Sequence, residues 1–251
     1  MQALIVGAGA VGCWFADVIG DTFAVTFYDR DAEVATAAAD ASDAVALSSL
    51  EDQRFALVCT AVPLLVTESV IATHASRADA AILDLSGSMS GPEQVMEEHA
   101  PSLERINLHP LFAPSHAPGR IAAAVANGGP IAQRILTAIR ERGCTIVETT
   151  PAEHDRAMET VQANAHTAVI AYALSAKSIP ESFDTPVSAA LRDLAEMVLE
   201  GNPRVYADIQ RCFGSDAVAC AALQVADADD ATFRNLYRAA GRNMSVHDAS
   251  Q

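Results

Sequence analysis

The chain of 251 residues is long enough for two small domains or one large one, and its 51% hydrophobic and 5% aromatic content describes an alanine- and valine-rich globular protein. Asp and Glu number 32 against 16 Lys and Arg, a formal net charge of −16, and Lys177 is the only lysine; such a surface argues against nucleic acid or anionic membrane as a partner. No stretch approaches a membrane span and the start lacks the basic segment of a signal peptide, so a cytoplasmic protein is expected.

Acid excess with almost no lysine resembles proteins of high-salt cytoplasm, where molar salt screens self-repulsion, and it predicts salt-dependent stability. The five cysteines (Cys13, Cys59, Cys144, Cys212 and Cys220) are scattered and contain no C-x-x-C. They read as buried free thiols rather than a disulfide framework or a zinc site, and no metal is expected.

Residues 3–6 are a short apolar run that reads as a fully buried strand. Gly7-Ala8-Gly9-Ala10-Val11-Gly12 comes next and fits G-x-G-x-x-G, and residues 13–19 continue as a helix. In a dinucleotide site Gly7 permits the tight turn, Gly9 lets backbone approach a pyrophosphate, and Gly12 lets helix and strand pack closely. The helix start adds unpaired N–H groups and a partial positive charge. A second apolar run, residues 23–28, closes on Asp29, where the ribose-binding acid of a βαβ unit belongs. Strand, glycines, helix, second strand and acid stand in register, which favours cofactor binding over a ligand-free glycine turn. Asp29 points to NAD, because a carboxylate hydrogen-bonds the ribose 2′-hydroxyl and repels a 2′-phosphate. Arg30 beside it suits the phosphate of NADP.

Residues 32–41 read as an alanine-rich helix, 44–47 as a weak strand and 55–60 as a third buried strand. That strand ends in Thr60-Ala61-Val62-Pro63, which this topology sets at the ligand crevice beside the nicotinamide, unless it is a plain strand-to-helix connection. Pro63 opens a helical stretch over 64–74. Residues 80–84 are another buried strand, succeeded by Leu85-Ser86-Gly87-Ser88-Met89-Ser90-Gly91-Pro92. These small and hydroxyl residues suit a close-approach ligand loop, or any turn with Ser90 as a helix cap. Residues 105–108 lead into His109-Pro110-Leu111-Phe112-Ala113-Pro114, an extended, proline-pinned segment. It holds His109 either for proton chemistry or as a structural histidine.

Strands at 121–125 and 144–147 flank a helix over 130–142. Beyond Thr150-Pro151 the pattern turns helical: one long helix over 151–177, a loop over 180–186, a helix over 187–200, and another from Asn202-Pro203. The rest is alanine-rich and helical with an acidic tail. The expected architecture is therefore α/β, a doubly wound sheet over 1–150 and then an all-helical domain over 151–251. So small and alanine-rich a helical half suggests burial against a second copy of itself.

Three motifs beyond the glycine loop carry a family resemblance. They are His109-Pro110-Leu111-Phe112-Ala113-Pro114; then Glu153-His154-Asp155-Arg156-Ala157-Met158 with Val161-Gln162-Ala163 and His166 on the same helix; then Asn202-Pro203-Arg204-Val205-Tyr206-Ala207-Asp208-Ile209. In this order, over roughly residues 1 to 210, the chain resembles the prephenate dehydrogenase family. These are enzymes of tyrosine biosynthesis with an N-terminal Rossmann domain and a helical dimerisation domain.

The resemblance implies NAD(P)-dependent oxidative decarboxylation of prephenate or arogenate by a homodimer joined through the helical domain. It implies His109 as the group that holds and deprotonates the ring hydroxyl, with Ser88 or Ser86 as the loop serine beside it. His166, twelve residues after His154, is then expected to reach the site from the long helix, and His154 and Arg211 fall on the substrate side. The family's loop commonly reads Gly-Ser-Val-Lys after an aspartate; here Asp84 precedes Leu85-Ser86-Gly87-Ser88-Met89, with no lysine. The family's substrate-binding arginine falls on Ser215, so that Arg211, Arg204 or a partner's arginine takes over, or the substrate differs. The alternatives are a related dehydrogenase of another carboxylated substrate, or a non-catalytic dinucleotide-binding dimer. No regulatory domain is expected after residue 251 and no fused mutase segment before residue 1, so feedback by tyrosine is expected at the active site itself.

Overall fold

A computed structural model describes residues 1–177 and 181–245. Eight strands form one sheet: β1 (Gln2–Val6), β2 (Ala24–Tyr28), β3 (Val45–Ala46), β4 (Phe55–Thr60), β5 (Ala78–Asp84), β6 (Glu104–Pro110), β7 (Arg120–Asn127) and β8 (Thr145–Glu148). Their order is β3-β2-β1-β4-β5-β6-β7-β8. All neighbours are parallel except β6 and β7, which run antiparallel from Arg105↔Asn127 to Pro110↔Ile121. Helices α1 (Ala10–Ile19), α2 (Ala32–Asp40), α3 (Thr67–His74), α4 (Ser90–His99) and α5 (Pro130–Glu141) connect them.

The central strands are apolar on consecutive residues because both faces of the sheet are covered. Ala3 and Ile5 of β1 turn to a core shared with Phe15 and Ile19 of α1 and Ile135 and Ile139 of α5. Leu4 and Val6, one residue out of phase, turn to the other face with Phe55 and Val58. Ile82 of β5 packs there against Ile71 of α3 and Met96 of α4. This period of two on both faces is what a doubly wound sheet requires.

The structure corrects several local expectations. Leu64–Val66 winds as a tight 3₁₀ turn before α3 begins at Thr67. Pro110, expected in a connecting segment, lies in β6, where it pairs with Ile121. Ser90 does not cap α4 through its side chain; instead Met89 N–H and Ser90 N–H donate to the two oxygens of Asp155 at 2.9 Å each. Cys212 and Cys220 are exposed free thiols rather than buried ones.

By internal contacts the chain divides into two units, Met1–Met158 with Pro203–Phe213, and Glu159–Asn202 with the residues from Gly214 on. The first holds the sheet, α6 (Pro151–Met158) and α9 (Pro203–Phe213). The second holds α7 (Ala165–Ser175), α8 (Pro186–Leu199), α10 (Ala217–Ala226) and α11 (Asp230–Ser245). The backbone stays helical from α6 into α7, but Glu159–Asn164 winds as a π-helix. That i→i+5 segment interrupts the single α-helix expected over 151–177. Pro180 of the expected 180–186 loop and the acidic tail beyond residue 245 lie outside the described residues.

Candidate active site

The carboxyl ends of β1, β4, β5 and β6 lie along one edge of the sheet, and the groups with chemistry gather there. Gly7 comes directly after β1 with φ +103°, a left-handed conformation that an L side chain resists. A Cβ on Gly7 would stand 2.3 Å from the Ala61 carbonyl oxygen, and one on Gly12 would stand 2.1 Å from the Gly7 carbonyl oxygen. At Gly9 a Cβ would meet nothing within 4 Å, so this side of the turn faces open space. The N-terminus of α1 has no side-chain cap and no acid in its first turn. Close glycine packing behind, open space in front and uncapped amides together fit a dinucleotide pyrophosphate.

Asp29, just past β2, accepts from Ala8 N–H at 2.9 Å and from Asp31 N–H at 3.0 Å. Its carboxylate is thereby fixed against the glycine turn and retains lone pairs for a ribose diol. Arg30 is exposed. Thr60-Ala61-Val62-Pro63 backs the turn: Ala61 N–H donates to the Val6 carbonyl and Leu85 N–H to the Thr60 carbonyl, at 2.8 and 2.9 Å. Ala8, Ala10 and Val11 belong to the same turn and helix start.

Beyond β5 and β6 lies a chain of ionisable groups. His109 Nδ1 is 2.9 Å from His154 Nε2, and His154 Nδ1 is 2.9 Å from Asp155 Oδ1. Asp155 also accepts the two amides that open α4. Burial pushes its carboxyl up, but hydrogen bonds from His154, Ser90 and Met89 outweigh that and hold it at about 2. An ionised carboxylate only accepts, so His154 Nδ1 carries a proton. With its Nδ1 proton given to Asp155, His154 can accept at Nε2; His109 then donates from Nδ1 and carries its lone pair on Nε2. A Cβ on Gly87 would stand 3.5 Å from that atom, so Nε2 faces the turn after β5. Burial, then the neighbouring His154, push His109 down to about 3, with Asp155 acting the other way. His109 is therefore a neutral imidazole at working pH.

Of the two candidate serines, Ser86 is buried and bonded to Asp84 Oδ2 and the Ser88 carbonyl, at 2.5 and 2.9 Å. Ser88 is half-buried beside Gly87. His154, expected on the substrate side, is 3% exposed with both ring nitrogens bonded within the protein. Its ring bridges His109 and Asp155. Arg211 of α9 is exposed, 3.7 Å from the buried Asp208 carboxylate. His166 lies on α7 in the second unit, and burial lowers its pKa. Ser215 lies beyond the end of α9, donating to Asn164 Oδ1 at 3.2 Å. Sequence reasoning did not assign Asp155 as the group that orders the histidines. Its place beside His154 was the only signal, and its reach to α4 exists only in three dimensions.

A glycine-cradled dinucleotide turn and a buried neutral imidazole on the same sheet edge define a nicotinamide-dependent dehydrogenase. No family model matches the chain. It is 30% identical over 227 residues to 4-amino-4-deoxyprephenate dehydrogenase of Streptomyces pristinaespiralis, covering 81% of this chain and 74% of that protein. It is 29% identical over 171 residues to "Probable arogenate/prephenate dehydrogenase" of Methanocaldococcus jannaschii, covering 61% of this chain and 38% of that protein. Prephenate dehydrogenase from A. aeolicus, solved with hydroxyphenyl propionate and NAD+, shares the fold with a TM-score of 0.69 at 16% identity over 98% of each chain. Synechocystis arogenate dehydrogenase does so with a TM-score of 0.66 at 14% identity over 99% of each chain. The chain belongs to the prephenate dehydrogenase family.

Proposed function

We propose that this protein catalyses NAD(P)-dependent oxidative decarboxylation of prephenate to 4-hydroxyphenylpyruvate, or of arogenate to tyrosine. The observation that carries the reading is His109: neutral, buried, and ordered by His154 and Asp155 so that its lone pair faces the turn after β5. When bound, NAD(P)+ accepts the hydride from the ring carbon that bears the hydroxyl.

The protein's share of the step comes from its own residues. His109 Nε2 accepts a hydrogen bond from the ring hydroxyl and orients it. So weak a base cannot strip a resting alcohol, but the hydroxyl becomes strongly acidic as hydride leaves, and the proton then passes to Nε2. The resulting imidazolium is stabilised by Asp155 through His154, as in other His–carboxylate pairs. Loss of the ring carboxylate as CO2 completes aromatisation and makes the step irreversible. Ser88 is the loop hydroxyl we assign beside His109, with Ser86 fixing the turn. His166 and Arg211 remain substrate-side candidates on the family resemblance.

Asp29 supports NAD and the exposed Arg30 leaves room for NADP. The 30%-identical relative is named for 4-amino-4-deoxyprephenate, which supports a second reading, a ring amine where prephenate has the hydroxyl. The test is reduced-cofactor production in molar KCl with prephenate, arogenate and the amino analogue, each with NAD+ and with NADP+. Turnover of the amino analogue alone would displace the first reading, and silence with all three while NAD binds would sink both.

We further infer a cytoplasmic homodimer joined through a helical domain from residue 151 on. Free thiols support a reducing compartment. Among described residues of the second unit, Ala163 and Ala195 are the buried hydrophobics, while Leu174, Val187, Met197, Leu223 and Tyr237 are exposed. A unit with so little core of its own gains stability by burial against another surface.

A further inference from the structure

Asp84, the last residue of β5, is 1% exposed and takes no part in the hydride and proton transfers at the ring. Its Oδ1 accepts from the Thr60 hydroxyl at 2.6 Å, and its Oδ2 accepts from Ser86 N–H at 3.0 Å and lies 2.5 Å from Ser86 Oγ. Ser86 Oγ is in turn 2.9 Å from the Ser88 carbonyl oxygen. A serine hydroxyl has one proton to give, yet two acceptors stand within its reach. With Asp84 neutral, the acid proton goes to Ser86 Oγ and the serine proton to the Ser88 carbonyl, and every acceptor is served. With Asp84 ionised, the serine proton turns to the carboxylate and the Ser88 carbonyl loses its donor. The proton on Asp84 thus decides whether the turn from Ser86 to Ser88 is tied across its own backbone.

That turn carries Gly87, the residue facing His109 Nε2. On the other side Thr60 leads into Ala61, whose carbonyl backs the Gly7 turn. One carboxyl group therefore joins the segment behind the cofactor loop to the turn over the base. Resting on His109 as the reacting group, we propose that Asp84 is a positioning residue whose carboxyl sets the approach of the Ser86–Ser88 turn to His109 Nε2. Burial pushes Asp84 up to about 6, although hydrogen bonds from Ser86, Thr60 and the backbone pull it down. The exchange of hydrogen bonds thus falls near working pH. The neighbours that face it are Cys59 and Thr60 of β4, Asn107 in register on β6, and Ser86. Among these only the Cys59 thiol titrates, and burial, then Asp84, push it far up.

Asp84→Asn tests this cleanly. Its amide nitrogen can donate to Thr60 Oγ1, which turns to the Leu83 carbonyl at 3.3 Å, while its oxygen accepts both Ser86 donors. On the Ser86–Ser88 side the variant holds the ionised-state pattern at every pH without a charge. The wild-type kcat/KM is expected to inflect near pH 6, and the inflection is expected to vanish in Asp84→Asn and in Ser86→Ala. The change is expected in kcat, with NADH affinity, read by quenching of Trp14, altered less than about threefold. Amide exchange over residues 85–89, corrected for intrinsic rates, is expected to step near the same pH in wild type and not in Asp84→Asn. An unchanged pH profile in Asp84→Asn overturns the proposal. No turnover by any form, with the exchange step present only in wild type, would instead overturn the proposed reaction and leave the positioning role of Asp84 standing.

Discussion

Replacing Asp155 with Asn removes a carboxylate that His154, Met89 and Ser90 share. If the amide oxygen takes the Oδ1 position, it accepts from His154 Nδ1 and Met89 N–H, but the amide nitrogen then confronts Ser90 N–H. If it takes the Oδ2 position, the nitrogen confronts Met89 N–H and forces His154 to accept at Nδ1. His154 then donates from Nε2, His109 accepts at Nδ1, and the base has a proton where its lone pair should be. Either way a donor–donor contact remains, and the second arrangement also disables the base. The cost in stability comes from Asp155 lying at about 2 against an ordinary 3.8. At about 1.4 kcal/mol per pKa unit this is about 2.5 kcal/mol, which solvent screening at a partly exposed carboxylate lowers to about 2 kcal/mol. Because the folded pKa is depressed, the contribution is full above about pH 4 and lost as pH falls through about 2. Urea unfolding near pH 7 should therefore show Asp155→Asn weaker by about 2 kcal/mol, with the gap closing in acid. Turnover should fall about a hundredfold or more, the range of a lost general base, with NADH affinity little changed. Wild-type turnover in a variant destabilised by that amount would refute the ordering of His109 by Asp155.

The other predictions bear on the base, the cofactor turn and the helical unit. His109→Asn should cut kcat by about a hundredfold to ten-thousandfold while NADH still quenches Trp14; equal loss of both would mark a structural histidine. It should also flatten the acid dependence of stability: with His109 at about 3 when folded, the unfolded chain takes up the proton first, so wild type weakens as pH falls from 6.5. Gly12→Ala drives a methyl to 2.1 Å from the Gly7 carbonyl, so calorimetry should show NAD binding weakened at least tenfold; unaltered affinity would disprove the cradle. Lowering KCl from molar to millimolar should lower both Tm and dimer content, because a net charge of −16 loses its screening; sedimentation showing a stable monomer in both would remove the proposed interface.

The first sixty residues made their fold legible because local rules dominate there. The apolar runs over 3–6 and 55–60 must be buried on both faces, and the glycines between Val6 and Cys13 admit few conformations. The motif around His109 was equally visible, since proline and strand fix that segment locally. What the sequence could not supply was pairing between distant residues. Nothing local shows that Asp155 closes the N-terminus of α4, that His154 spends both nitrogens on His109 and Asp155, or that Ser86 rather than Ser88 is held by Asp84. Nor does it show that α9 belongs with the sheet rather than with the other helices. Residue type and spacing decide which chemistry is available, because they act through the local backbone. Which nitrogen holds the proton is decided by hydrogen bonds between residues far apart in sequence, and those exist only once the chain has packed.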